Sequence, residues 1–93
     1  MVRLHGDLDA RSADATGRRL VRRIDAGSQV LEVDLTHVTH LSPDGCQALF
    51  TALRAARARG TRLVVTNADD PARSVLHRIG IFRALSEGNS DVR

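Results

Sequence analysis

The strongest constraint on the fold is a regular alternation of short apolar runs with longer amphipathic segments. Residues 2–5, 30–35 and 62–66 are short and rich in Val and Leu, which is typical of β-strands. Each run is followed by a segment with apolar residues at helical spacing, at about residues 13–26, 43–59 and 71–79. Strands that alternate with helices predict an α/β fold with a largely parallel sheet.

Start and stop signals frame each predicted helix. The predicted N-caps are Ser12, Ser42 and Asp70, of which the last two precede a proline, and the glycines that end the helices are Gly27, Gly60 and Gly80. After Gly80 we expect Ile81 and Phe82 to dock on the core, with a short terminal strand as far as Leu85. Residues 1–86 are thus predicted to form one domain, and residues 87–93 a flexible tail.

Composition excludes several classes of protein. The chain has 93 residues, of which 42% are hydrophobic and 27% charged, as expected for one small folded domain. No apolar run reaches the roughly 18 residues that span a bilayer, and no signal peptide opens the sequence, so we expect no direct membrane contact. A single cysteine cannot form an intramolecular disulfide, which favours a reducing, cytoplasmic location.

The basic residues do not indicate a nucleic-acid-binding protein. All fourteen are arginines, yet the formal net charge is only +3. They are spread over three predicted helices, and no aromatic residues alternate with them to stack on bases. We therefore interpret them as solvated helix faces and expect no nucleic-acid partner.

A chemically distinctive segment joins the second strand to the second helix. Ser42, Pro43, Asp44 and Gly45 place a hydroxyl, a carboxylate and free backbone N–H groups at one predicted helix start, which we call the tip. Acidic loops at residues 6–9 and 66–70 follow the other two strands. Because the carboxyl ends of parallel strands meet at one edge, we expect these loops to converge near the tip. The tip is either a stable helix start or an exposed docking or phosphorylation site.

Other reactive groups support catalysis or metal binding less well. His37, His40 and Cys46 could suggest a metal site, but no fourth ligand is evident. Cys46 shares the apolar helix face with Leu49, so we interpret it as a core residue instead of a reactive thiol. Asp34 lies at the end of a predicted strand, where receiver domains have a phospho-accepting aspartate. Such a site also needs a pair of acidic residues just after the first strand, and this chain has none close enough, so we do not interpret Asp34 as a phosphorylation site. We expect neither an enzyme nor a bound cofactor.

The order and spacing of several segments carry a family resemblance. Residues 4–9 (LHGDLD), 33–38 (VDLTHV), 41–45 (LSPDG), 60–67 (GTRLVVTN) and 70–81 (DPARSVLHRIGI) together resemble the STAS domain of anti-sigma factor antagonists. The resemblance covers residues 2–85. It implies a single STAS-like α/β domain, in which a mostly parallel sheet of about four strands packs against three to four helices.

The resemblance also implies a partner. In that family a cytoplasmic antagonist docks on an anti-sigma factor that is a serine kinase of the histidine-kinase-like ATPase type. The kinase phosphorylates a serine at the tip, and the phosphate abolishes docking. Carried onto this chain, the partner-binding residues are Asp9, Ser42, Pro43, Asp44, Gly45 and Cys46, with Asp9 beside the acceptor position.

This chain departs from the family pattern at the acceptor itself. The acceptor position is Asp44, and Ser42 stands where the family has an aspartate. A carboxylate cannot accept phosphate from a serine kinase, and it carries one charge where phosphoserine carries about −1.5 to −2. Asp44 either imitates the phosphorylated state or belongs to a constitutive antagonist, the reading we favour. Ser42 could be a displaced phosphosite, although its N-cap role and the following proline count against this.

Two further expectations follow from the resemblance. STAS domains normally have a strand before the one at residues 2–5, and its absence here would leave an unpaired sheet edge, through which a homodimer could form. The alternative function is a STAS subunit of a lipid-transport ATPase complex or a stress-signalling scaffold. A kinase partner predicts that Asp44 controls binding, whereas a scaffold role predicts greater importance for Arg54 and Arg57.

Overall fold

The sheet of this protein follows the order of the chain. A computed structural model describes residues 1–87 and 91–92. They form strands β1 (Val2–Leu8), β2 (Val30–Leu41), β3 (Arg62–Thr66) and β4 (Asp91–Val92), and helices α1 (Ala13–Asp25), α2 (Gln47–Arg59), α3 (Asp70–Arg78) and α4 (Ile81–Glu87). The strands lie in the order β1-β2-β3-β4, and every neighbouring pair is parallel. The predicted α/β fold with a parallel sheet is confirmed.

This strand order places the helices on one face of the sheet. Each crossover leads to the adjacent strand in the same direction, and right-handed crossovers then all pass over the same side. One core cluster accordingly joins the helices to the inward strand residues, including Leu4, Leu20, Val33, Leu49, Leu63, Leu76 and Ile81. On β1, buried core residues alternate with exposed ones, and the exposed residues are Arg3, His5 and Asp7. The strand therefore alternates apolar and polar residues, unlike strands of parallel sheets that are covered on both faces.

Strand β2 is longer than the sequence predicts, because two irregularities interrupt its alternation. In the pairing with β1, Arg3 lies opposite Asp34 but His5 lies opposite His37, and Gly6 lies opposite Val38 but Asp7 lies opposite His40. β2 thus contains one extra residue at each register shift, as in a β-bulge. The polar residues 36–40 therefore belong to the strand, and the predicted end of the strand at residue 35 is wrong.

The helix starts agree with the predicted positions only in part. At α1 the N-cap position is Ser12, as predicted, but its side chain makes no capping bond. Helix α2 begins at Gln47 instead of Pro43, after a run of tight turns. The N-cap of α3 is Asp69 and not Asp70: its carboxylate accepts a hydrogen bond from the Ala72 N–H at 2.9 Å.

The carboxyl-terminal region forms a helix where a terminal strand was predicted. Ile81 and Leu85 are both buried and lie four residues apart, the spacing that one helix face requires. The last strand is instead β4, which places Asp91 and Val92 beside Val64 and Val65 of β3. Residues 88–90 and 93 of the predicted tail lie outside the described residues, and its flexibility stays a prediction.

Candidate functional site

The tip is assembled by close contact between the ends of β1 and β2. Leu8 and Leu41 are register partners, and the Ser42 N–H donates to the Leu8 carbonyl oxygen at 3.0 Å. Gly45 is buried against the same segment: a Cβ added there would lie 2.0 Å from the Leu8 oxygen and 2.9 Å from the Asp9 nitrogen. The expected convergence of the 6–9 loop with the tip is therefore present, and it requires glycine at position 45.

Hydrogen bonds within the turn use the donors that the sequence suggested would be free. The Ser42 Oγ accepts a hydrogen bond from the Gly45 N–H at 3.1 Å. The Cys46 N–H donates to the Ser42 carbonyl and the Gln47 N–H to the Asp44 carbonyl, both at 3.2 Å. Ser42 thus closes the turn that precedes α2 with a bond of the capping type, but the N-cap position of α2 is Cys46, so the prediction that Ser42 is the N-cap is wrong. The prediction of free N–H groups is wrong for Gly45, Cys46 and Gln47.

The predicted partner-binding residues differ in what they present to solvent. Pro43 and Asp44 are exposed, whereas Ser42 is only partly accessible. Gly45 and Cys46 are buried and offer no side-chain surface to a partner. Burial raises the pKa of the Cys46 thiol to about 11, so the thiol is protonated at neutral pH. Cys46 is a core residue, as its position on the apolar helix face predicts.

Asp9 supports the loop that precedes α1. Its Oδ1 accepts hydrogen bonds from the N–H groups of Arg11 and Ser12 at 2.9 and 3.3 Å, and its Oδ2 lies 3.8 Å from the Arg11 guanidinium. The Asp9 N–H donates to the Ser12 Oγ at 3.0 Å, while that hydroxyl donates to the Asp7 carbonyl at 2.9 Å. The half-buried Asp9 therefore fixes the loop against which Gly45 packs.

The two histidines of β2 are not assembled with Cys46. His37 stacks on His5 of β1, with ring centroids 5.6 Å apart, and His40 is exposed, whereas Cys46 is fully buried in the core. Within residues 1–87 and 91–92, no three His, Cys, Asp or Glu side chains are grouped so that they could hold a metal ion.

A buried carboxylate on β2 forms a cluster that the sequence analysis missed. Asp34 accepts hydrogen bonds from the hydroxyl and the N–H of Thr36, and from the Asn67 amide at 3.0 Å, and it lies 3.6 Å from the Arg3 guanidinium. The Thr36 hydroxyl above all, and then the Asn67 amide, lower the pKa of Asp34 to about 2. Asn67 reaches it from a left-handed conformation with φ of 60°. The signal was present in the sequence, because polar residues follow the apolar runs of two predicted neighbouring strands; in the structure Asp34 lies within β2, opposite Thr66 at the end of β3.

A groove extends from the tip between α1 and α2. It has a volume of about 700 Å³, and Asp44 lines one end of it. The remaining lining comes from Ala10, Ala13, Asp14, Gly17, Arg18, Val21, Arg22, Gln47 and Thr51. Ala10, Ala13, Gly17 and Thr51 of this lining are small, and the two helices leave a channel on the surface next to the exposed carboxylate.

Comparisons with known proteins agree with this fold. A solved structure described as the anti-sigma factor antagonist SpoIIAA in its unphosphorylated form matches 81% of this chain and 69% of its own, with a TM-score of 0.64 and 18% identity. No curated protein matches the sequence. In the described part of the chain, no helix has the length and apolar character needed to cross a membrane. The family model described as "Mlab, STAS domain" matches residues 1–86. The chain therefore belongs to the STAS-domain family.

Proposed function

We propose that this protein is an anti-sigma factor antagonist-like interaction module of the cytoplasm. It docks through the tip on an anti-sigma factor that is a serine kinase of the histidine-kinase-like ATPase type. Asp44 replaces the phospho-acceptor serine, so phosphorylation at that position does not control docking. The similarity of fold to an anti-sigma factor antagonist supports the proposal, as does the arrangement of the tip.

The observation that carries the proposal is the exposed Asp44 carboxylate beside a rigidly packed turn. Gly45 is packed against the backbone of Leu8 and Asp9, and Ser42 bonds both to the Leu8 carbonyl at the end of β1 and to the Gly45 N–H, so the backbone position of residue 44 is fixed. An exposed acidic side chain on a fixed backbone can be recognised by a partner at a smaller ordering cost than one on a mobile loop. Asp9, Ser42, Gly45 and Cys46 contribute by holding that geometry.

The sign of the Asp44 effect follows from charge. If the partner recognises the carboxylate, its removal weakens docking; if the carboxylate repels the partner as a phosphate would, its removal strengthens docking. We favour recognition, which makes this chain a constitutive antagonist. The hydroxyl of Ser42 already accepts the Gly45 N–H, and this supports Asp44 instead of Ser42 as the residue that governs docking.

Affinity capture from native lysate tests the proposal. Wild type is compared with Asp44→Ala and Asp44→Ser, and Asp70→Ala serves as a matched control because it removes an exposed carboxylate that belongs to the first turn of α3 and not to the tip. We expect wild type and Asp70→Ala to retain a histidine-kinase-like ATPase that Asp44→Ala loses. When ATP is added, the captured kinase should phosphorylate the Asp44→Ser variant but not the wild-type protein. Recovery of no such kinase by any variant rejects the proposal.

A second candidate is supported by the family model, whose description names Mlab and not an antagonist. Under this candidate the chain is a STAS subunit of a lipid-transport ATPase complex. This candidate predicts that the chain captures transporter subunits from lysate. Capture should be unchanged in Asp44→Ala and weaker in Arg54→Glu, which reverses an exposed charge on α2. That result would favour the transporter complex over the anti-sigma factor as the partner.

A further inference from the structure

The groove between α1 and α2 is long enough to hold a short helix. Both helices follow parallel strands, so both begin at the tip edge of the sheet and run away from it in the same direction. Ala13 and Gly17 of α1 and Thr51 of α2 line the groove with small side chains. From position 13 to position 22 the groove extends about 14 Å, which is about two and a half helical turns.

The two ends of the groove carry opposite charges. Asp44 lines the end at the tip, and Arg22 lies nine residues along α1 from the first lining residue of that helix. Between them Asp14 and Arg18 form an ion pair with each other at 2.8 Å, so their charges largely cancel. Neither Asp44 nor Arg22 has an ion-pair partner among residues 1–87 and 91–92. The groove therefore presents an unpaired negative end and an unpaired positive end.

We propose that this groove binds one helix of the protein partner, oriented antiparallel to α1 and α2. The amino-terminal turn of that helix carries an acidic side chain facing Arg22, and its carboxyl-terminal turn carries a basic side chain facing Asp44. This charge pattern is the one that a helix itself prefers, because its dipole favours acids at the amino end and bases at the carboxyl end. The inference deepens the proposed function, since it adds a contact beside the tip.

A second copy of this chain is a poor occupant of the groove. Its own α1 would bring four arginines and only two aspartates towards an α1 of the same composition. The helices as a whole carry ten arginines and four acidic residues, so two helical faces of this protein repel each other. A different protein with an acidic helix start is therefore favoured.

Two stapled peptides of identical composition test the orientation. Each has fourteen residues and a stripe of alanine and leucine; one carries glutamate in its first turn and arginine in its last, and the other has these charges exchanged. Each is titrated into the full ¹⁵N-labelled chain and followed by NMR. We expect the first peptide to bind about tenfold more tightly, since two favourable ion pairs replace two repulsions. Its resonance shifts should centre on Gly17 and Thr51.

Charge reversal in the protein completes the test. The double variant Arg22→Glu/Asp44→Arg should bind the second peptide more tightly than the first. Arg23→Glu is the control, because it reverses the same charge on α1 at a residue that does not line the groove and whose guanidinium contacts the Met1 carbonyl. Equal affinities for the two peptides, shifts outside the groove, or no shifts at millimolar peptide would each overturn the inference. No kinase takes part, so these outcomes are separate from failure of the capture experiment.

Discussion

Replacement of Gly45 by alanine should destabilise the protein strongly, although it adds a single methyl group. The new Cβ would lie 2.0 Å from the Leu8 carbonyl oxygen and 2.4 Å from its carbonyl carbon, and both atoms belong to a strand backbone that cannot rotate away. Relief requires the end of β1 to separate from the tip, which also breaks the hydrogen bond from the Ser42 N–H to the Leu8 oxygen.

The expected magnitude combines two effects. Overpacking costs about 1–3 kcal/mol, and the lost hydrogen bond costs about 1 kcal/mol. We therefore expect the free energy of unfolding to fall by about 3 kcal/mol, which lowers the Tm of a domain of this size by about 12–24 °C. Thermal and urea unfolding followed by circular dichroism at 222 nm measure both quantities.

Gly17→Ala is a matched control with the opposite expected sign. Gly17 is also buried, but a Cβ there would lie 3.6 Å from the Ala48 Cα and from the Thr51 side chain, an ordinary van der Waals separation. Because alanine is the better helix former, this change should stabilise the protein by about 0.5–1 kcal/mol. If Gly45→Ala unfolds at the wild-type temperature, the close packing of the tip on β1 is refuted.

Three further predictions concern the carboxylates and the cysteine. The pKa of Asp34 is lowered to about 2 from an ordinary value near 4, so its ionised form stabilises the protein above about pH 4, and this contribution is lost as pH falls towards 2. The difference in free energy of unfolding between wild type and Asp34→Asn, measured in urea, should therefore shrink between pH 4 and pH 2. A difference that does not change with pH contradicts the assignment. Asp69→Ala removes the N-cap of α3 and should cost about 1 kcal/mol in urea unfolding, whereas Asp70→Ala should cost less; equal losses would show that Asp69 is not the cap. Cys46 should resist alkylation by iodoacetamide in the folded protein at pH 8 and react in urea, because it is buried and its thiol pKa is raised to about 11; rapid labelling of the native protein would argue against its burial.

The order of strands and helices was predictable because apolar spacing reports burial directly. Leu20 and Ile24 on α1, and Leu49 and Leu53 on α2, are buried as the helical period requires. The boundaries were less predictable where hydrogen bonding, not burial, decides them. The extra residues of β2 break the period of two, so residues 36–40 resemble a turn in sequence. At α3 the choice of Asp69 over Asp70 depends on one side-chain bond that composition cannot distinguish.

The candidate site was predictable only in its location. The sequence places Asp9 and Asp44 at the same edge of the sheet, but it does not show that the Asp9 carboxylate is bonded to the loop before α1. The link from Asp34 to Asn67 joins residues 33 positions apart, and it depends on a left-handed backbone at Asn67. Such contacts arise from register and backbone conformation, which single residues do not encode.

The chain-ordered sheet has a consequence for how the protein is made. β1, β2 and β3 each pair with the next strand to be synthesised; the first two pairings close a loop that contains one helix, and the pairing of β3 with β4 closes a loop that contains two. During synthesis each new strand can therefore pair with the strand made just before it, and no early strand depends on a strand far along the chain for its pairing. The hydrogen bond from the Thr61 hydroxyl to the Ser28 carbonyl joins the residue before β3 to the segment before β2, so the third strand is held to the second from its start. We expect folding to proceed from the amino terminus while the ribosome is still adding the carboxyl-terminal helices.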